Sequence, residues 1–155
     1  MRIYETSINE NSTSVQAHKI SQKVCEICNN IAPSEAEIME QQTIVAVSMM
    51  ELKLQLEFIQ TSYLEAGGHP GMTMEEEKNS GIADMLIPEF SELSGIPESD
   101  LWEFYENSED LSPDLEKVRV KEFYRKIFYG FFRKKNLWSR FANYAADTIV
   151  DAMKL

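Results

Sequence analysis

The sequence predicts an all-α fold, a single-domain helical bundle of about five to seven helices around one long central helix at about residues 35–66. Three observations support this prediction. Apolar residues recur at intervals of three and four along most segments. The longest uninterrupted segment is rich in Leu, Glu, Lys, Gln and Met, which are good helix formers. Proline or glycine separates one segment from the next.

The first helix is predicted to begin at about Ser14 and to end at Pro33, which cannot continue a helix. The apolar residues of this segment lie on one helical stripe: Ala17, Ile20, Val24, Ile27, Cys28 and Ile31. Residues 1–13 are polar and are expected to form a flexible N-terminal segment. Residues 14–155 are short enough to form one domain.

The central segment carries two conflicting patterns. Five apolar residues alternate with polar ones, as in a half-buried strand: Met50, Leu52, Leu54, Leu56 and Phe58. A heptad seam through Ile38, Val45, Leu52 and Ile59 instead indicates a helix. Ser34 and Glu37 form a capping-box pattern at its start, and Gly67-Gly68 provides a stop, so we predict a helix. The seam is compatible with an intramolecular core or with a homodimer.

The remaining predicted helices are shorter and are bounded by proline, glycine or asparagine. They cover residues 82–87, 89–93, 98–106, 114–134 and 137–155. Pro88 is expected to separate the first two, and Ser112-Pro113 is expected to begin the long basic one. Residues 69–81 are charged and bounded by glycine, and we predict a flexible loop that contains a short helical turn.

Charge is distributed unevenly along the chain. Residues 72–116 hold fourteen acids against the single base Lys78, or −13, while residues 117–140 hold nine bases against the single acid Glu122, or +8. Two interpretations of the acidic and basic surfaces are open: they contact each other or are simply solvated, or one of them meets a charged partner. The net charge of −11 argues against nucleic acid or an anionic membrane as the general partner.

Neither a membrane span nor a secretory signal is predicted. The longest stretch without a charge, Gln41 to Met50, is far shorter than the roughly 18 apolar residues that a spanning helix requires. The first fourteen residues lack the apolar core of a signal peptide. A cytoplasmic location is therefore expected.

The residues that could carry chemistry are few. Cys25 and Cys28 share a helix face with His18, but a zinc site needs four ligands, so structural thiols are favoured over a redox pair or a metal site. His69 lies in a Gly-rich turn, and no sequence motif indicates a partner that would make it a catalytic base. We expect no cofactor, no metal and no enzymatic activity.

Aromatic residues are concentrated in the basic region. Nine of them lie between Phe123 and Tyr144, interleaved with Arg and Lys. Such residues can fill a core, and they can also anchor a protein interface or a single-stranded nucleic acid.

One local segment resembles a known family. Phe90 to Leu101, read as Phe-Ser-Glu-Leu-Ser-Gly-Ile-Pro-Glu-Ser-Asp-Leu, followed by Ser112 to Val118, is similar to the later helices of Cro/repressor-type helix-turn-helix domains. The resemblance implies a turn at Ser94-Gly95-Ile96 and a recognition helix from Pro97. That helix carries only acidic charges, so it would repel phosphates rather than bind them.

The function expected from the sequence is that of a non-enzymatic acidic helical protein that binds another macromolecule. The partner is expected to be a protein, basic or nucleic-acid-binding, and the chain to be an inhibitor, an antitoxin- or immunity-like factor, or an adaptor. A helix-turn-helix transcription regulator is the alternative. The candidate partner-binding residues are Glu98, Asp100, Glu103, Glu106, Asp110, Arg125, Arg133, Lys134, Lys135 and Trp138.

Overall fold

A computed structural model describes residues 12–31, 35–69, 71–107 and 112–153, without the side chains at positions 12–15, 25, 27–31, 35 and 113. Within these ranges the chain forms seven α-helices and no strand. They are α1 Ser12–Ile31, α2 Glu35–Glu65, α3 Met74–Ser80, α4 Ile82–Ser94, α5 Glu98–Glu106, α6 Pro113–Lys134 and α7 Ser139–Ala152. The all-α prediction is confirmed. None of these described helices has the length and apolar character that a membrane crossing requires.

The predicted long helix is present as α2, which spans 31 residues. One face of it is buried and packs against α1 and α4. The helix explains the strand-like alternation, because residues i and i+2 of a helix are separated by about 200° around its axis. Leu52 and Leu56 are buried, whereas Met50, Leu54 and Phe58 face solvent. Ser34 of the predicted capping box lies outside the described residues.

The predicted break at Pro88 is wrong. Residues 82–94 form one continuous helix, α4, with Pro88 in its interior. Proline removes one backbone hydrogen bond there. The helix persists because both halves present buried apolar residues to the core, including Leu86, Ile87 and Phe90. Here tertiary packing outweighs the local preference of the chain.

Helix α4 also packs closely against α6. A Cβ atom at Gly130 would lie 2.5 Å from the backbone oxygen of Ser94, so only glycine permits this approach. Phe90 lies edge-on to Phe123, with ring centroids 5.4 Å apart, and to Tyr124 at 5.7 Å. Most aromatics of the basic region are therefore core residues, which leaves Tyr129, Trp138 and Tyr144 partly exposed.

The segment predicted as a flexible loop contains the short helix α3. Thr73 caps it by accepting a hydrogen bond from the Glu76 backbone N–H. Glu77 is buried and accepts a hydrogen bond of 3.1 Å from the Tyr105 hydroxyl group. This contact connects α3 to α5. The predicted flexible segment 1–13 overlaps α1 at residues 12 and 13, and residues 1–11 lie outside the described part.

The C-terminal helices follow the prediction closely. Ser112 caps α6 by accepting a hydrogen bond from the Leu115 backbone N–H. Asn136 adopts a positive φ of 67° in the turn that follows, which asparagine tolerates better than most residues. Helix α7 begins at Ser139 rather than at the predicted Leu137, which is buried in the turn.

Candidate partner-binding groove between α5 and α6

The acidic residues predicted to bind a partner lie on the solvent side of α5. Leu101 and Tyr105 form the buried side of this helix, and the candidate carboxylates Glu98, Asp100, Glu103 and Glu106 are all exposed. Glu98 and Asp100 lie in the first turn, where the helix dipole favours negative charge. Within the described residues, none of the four side chains forms an ion pair or a hydrogen bond. The fifth predicted acid, Asp110, lies outside the described residues.

A groove of about 860 Å³ separates α5 from α6. Its α5 wall contains Asp100, Glu103 and Phe104, and its α6 wall contains the polar residues Arg119, Glu122, Lys126 and Tyr129. The groove therefore combines aromatic surface with charges of both signs, since both walls carry acids and the α6 wall also carries two bases.

Phe104 is the aromatic centre of the groove. The Arg119 guanidinium lies 3.6 Å from the centroid of this ring, and the Lys126 amino group lies 5.6 Å from it. These distances allow cation–π interactions. Arg119 also donates a hydrogen bond of 3.3 Å to Glu122. The Phe104 ring is therefore a contact point for cations of this chain itself.

The predicted basic residues are engaged within the chain instead. Arg125 pairs with Asp147 of α7 at 2.6 Å, and Lys135 pairs with Glu51 of α2 at 2.6 Å. Arg133 donates to the Leu137 carbonyl oxygen at 2.7 Å, and Lys134 donates to the Glu92 carbonyl oxygen at 2.6 Å. Only the last of these contacts reaches the acidic segment 72–116, and it does so through a backbone oxygen. The structure therefore brings the candidate acids together on one helix and distributes the candidate bases among other contacts.

Trp138, the remaining predicted residue, lies in the turn before α7. Its ring stacks on Phe141 with centroids 5.5 Å apart, and 37% of the residue is exposed. Its backbone N–H donates a hydrogen bond of 2.9 Å to Gln41 of α2. Trp138 thus anchors the α6–α7 turn on α2.

His69 has a partner that its sequence context did not indicate. Its Nε2 atom lies 2.8 Å from Glu76 Oε2, and both side chains are about half exposed. The hydrogen bond to His69 is the main reason that the pKa of Glu76 lies below its usual value. His18 is exposed, and the Cys25 and Cys28 side chains are not among those described. The described side chains contain no cluster of three or more His, Cys, Asp or Glu residues that could hold a metal ion.

A second surface was missed by the sequence analysis. The solvent side of α2 carries an apolar row, here called the α2 stripe, formed by Met39, Thr43, Val47, Met50, Leu54 and Phe58. Its five large apolar members are between 59% and 71% exposed. Their spacing of three and four was visible in the sequence, but the alternation with the buried residues concealed it.

Comparisons of the chain with protein-family models, curated proteins and solved structures return no match. The local helix-turn-helix resemblance therefore stays a prediction.

Proposed function

We propose that this chain is a non-enzymatic protein that acts by binding another protein through the acidic side of α5 and the groove beside it. The partner is a basic or nucleic-acid-binding protein, and the chain serves as its inhibitor, as an antitoxin- or immunity-like factor, or as an adaptor.

One observation carries the proposal: the four exposed carboxylates of α5 form no ion pair among the described residues, while the candidate bases Arg125 and Lys135 pair with α7 and α2. Two other bases, Arg119 and Lys126, line the groove beside Asp100 and Glu103, and Arg119 pairs with Glu122 of its own helix. Here Arg125 and Lys135 form ion pairs with α7 and α2, so the negative potential of α5 is not cancelled by these two bases.

The charge pattern favours a basic protein over nucleic acid. A surface of like charges accelerates the encounter with an oppositely charged partner and repels one of the same sign. Duplex DNA presents a dense row of phosphates, which the carboxylates of Glu98, Asp100 and Glu103 would repel. A basic protein segment would instead place Lys or Arg beside these carboxylates.

The test compares two sets of charge reversals with equal net change. The tagged full chain is used to retain partners from an extract of its native cell, and retained proteins are identified by mass. Reversal to Lys of Glu98, Asp100, Glu103 and Glu106 should slow association with the retained partner at least about tenfold. The control reverses four exposed acids away from α5 and from the α2 stripe: Glu26, Glu75, Asp84 and Asp151.

Equal binding by both reversed sets, or the absence of any retained protein, would contradict the proposal. Retention of random duplex DNA by the unmodified chain in a low-salt mobility-shift experiment would favour the helix-turn-helix alternative, because a DNA-binding protein shows non-specific binding under these conditions.

A further inference from the structure

The α2 stripe is a large exposed apolar surface on a molecule that is otherwise highly charged. From Met39 to Phe58 it extends over about 28 Å of helix at about 1.5 Å per residue. Its five large side chains are 59% to 71% exposed. Contiguous apolar surface of this kind marks an interaction site in soluble proteins. The stripe shares no residue with the α5 groove, so this inference is independent of the proposed function.

The stripe is also free of polar groups that would oppose its burial. None of its six members is charged. Thr43, its one polar residue, donates its hydroxyl hydrogen to the Met39 carbonyl oxygen at 2.8 Å, so it presents mainly its methyl group outward. Burying this surface would therefore leave no hydrogen-bonding group of the stripe without a partner.

The spacing of the stripe is symmetric. Its members are separated by four, four, three, four and four residues, and this series reads the same in both directions. A second copy placed antiparallel across a two-fold axis between Val47 and Met50 would match member to member. Met39 would then face Phe58 of the other copy, Thr43 would face Leu54, and Val47 would face Met50.

The side-chain volumes agree with the antiparallel arrangement. Each facing pair combines a larger and a smaller residue, so the distance between the two helices stays even along the stripe. A parallel pair would place Phe58 against Phe58 at one level and Thr43 against Thr43 at another, which opens a gap at the small residues. The antiparallel arrangement also places the two helix dipoles in opposite directions.

Charges next to the stripe do not oppose this arrangement. At about 100° per residue, Glu40 and Glu57 lie on opposite edges of the stripe. In an antiparallel pair each edge meets the same edge of the other copy. Glu40 and Glu57 of the two copies therefore stay on opposite sides of the contact, and like charges do not face each other.

The available area reaches the lower limit for a specific dimer. Large side chains at these exposures present on the order of 500 Å² of apolar surface per copy, or roughly 1,000 Å² for two copies. Specific interfaces begin at about this size, so an affinity on the order of micromolar is expected. We infer that the α2 stripe binds a second copy of this chain in an antiparallel, two-fold symmetric homodimer.

The first test is the mass of the purified full chain in solution. At about 100 μM the chain should show twice the 17.9 kDa of one copy by light scattering or sedimentation. Met50→Glu and Leu54→Glu should each weaken the dimer at least about 100-fold, because each buries an unpaired carboxylate. Met85→Glu is the matched control, since Met85 is 42% exposed on α4 and should leave the dimer unchanged.

Circular dichroism is used to check that both stripe variants are folded. If either variant is not folded, Met50→Gln is used in its place. A monomeric wild-type chain at this concentration overturns the inference, whether the stripe then binds a different protein or nothing.

The second test measures the orientation of the two copies. Met39→Cys and Phe58→Cys variants are mixed, oxidised and digested, and the linked peptides are identified by mass spectrometry. The inference predicts a link between positions 39 and 58 from different copies. Links of 39 with 39 and of 58 with 58 would show parallel pairing and overturn the inference. Reversal of the α5 carboxylates should leave the dimer intact, so failure of this inference is distinguishable from failure of the proposed function.

Discussion

The two faces of α2 carry similar side chains and have opposite surroundings. Leu52 and Leu56 are buried against the rest of the domain, whereas Leu54 and Phe58, two residues further in each case, are 65% and 59% exposed. Hydrophobicity alone therefore does not decide which face of this helix is in the core. The difference is that α1 and α4 cover one face, while no described helix covers the other.

This comparison explains why the segment was ambiguous. A helix that is apolar on opposite faces produces an alternating pattern when it is read residue by residue, because consecutive apolar residues in that pattern are about 200° apart around the axis. An ordinary surface helix has one apolar face and one polar face. The second apolar face of α2 is thus a departure from that pattern.

Truncation of one leucine on each face of α2 tests whether the two faces contribute differently to stability. Leu52→Ala should lower the free energy of unfolding by about 2 to 5 kcal/mol, because it removes buried methyl groups and leaves a cavity. Leu54→Ala should change it by about 0.5 kcal/mol or less at a concentration where the chain is monomeric. Urea unfolding measures both values. Equal losses would show that the solvent face is packed as well.

A polar contact on the buried face gives the next largest effect. Gln41 is 2% exposed, and its side-chain oxygen accepts a hydrogen bond from the Trp138 backbone N–H. Gln41→Ala should lower the free energy of unfolding by about 1 to 3 kcal/mol, because this N–H then loses its partner. Gln60→Ala, at an exposed position of α2, is the control for loss of a glutamine from the helix. Because alanine has a higher helix propensity than glutamine, Gln60→Ala should cause no loss, and a similar loss in both variants would show that the Trp138 contact is not the cause.

The smallest effect concerns Glu89 of α4, which contacts the buried face of α2. The Ser62 hydroxyl donates to its Oε1 atom at 2.7 Å, and its Oε2 atom is buried without a partner among the described residues. Burial raises the pKa of Glu89. The folded state therefore releases this proton at higher pH than the unfolded chain, so stability falls as the pH rises from the unfolded pKa to the folded pKa of Glu89, and the loss is complete above the folded pKa.

Glu89→Gln should accordingly raise the melting temperature by a few degrees at about pH 7, and the gain should shrink as the pH falls below the raised pKa and Glu89 becomes protonated. Glutamine keeps an oxygen that can accept the Ser62 hydrogen bond. The exposed Glu92→Gln on the same helix should show no gain at either pH. A gain for Glu89→Gln that does not depend on pH would show that ionisation is not its cause.

Most helices could be predicted from local signals. The start of α6 follows from the Ser112 cap and Pro113, and the end of α2 follows from Gly67-Gly68. These signals act within one turn of helix, so they are readable without the rest of the fold. Pro88 was misleading because its local preference was outweighed by the burial of Leu86 and Phe90, which depends on α6 being nearby.

The candidate site was predictable only in part. The acids of α5 are close in sequence and lie on one short helix, so their shared exposure follows from helical geometry. The engagement of the bases did not follow, because Arg125 meets Asp147 across 22 residues and Lys135 meets Glu51 across 84. The groove itself forms between two helices that adjoin in space, and no single segment encodes it.

The sequence by itself determined that the chain is helical, that its longest helix lies near residues 35–65, and that its acids and bases occupy separate segments. These are properties of neighbouring residues, set by propensity, capping and period. Only the tertiary structure decided which apolar face of α2 is in the core, which bases are engaged, and which acids form no ion pair among the described residues. Each of these depends on contacts between residues that are distant in the chain, and such contacts are fixed only when the helices pack together.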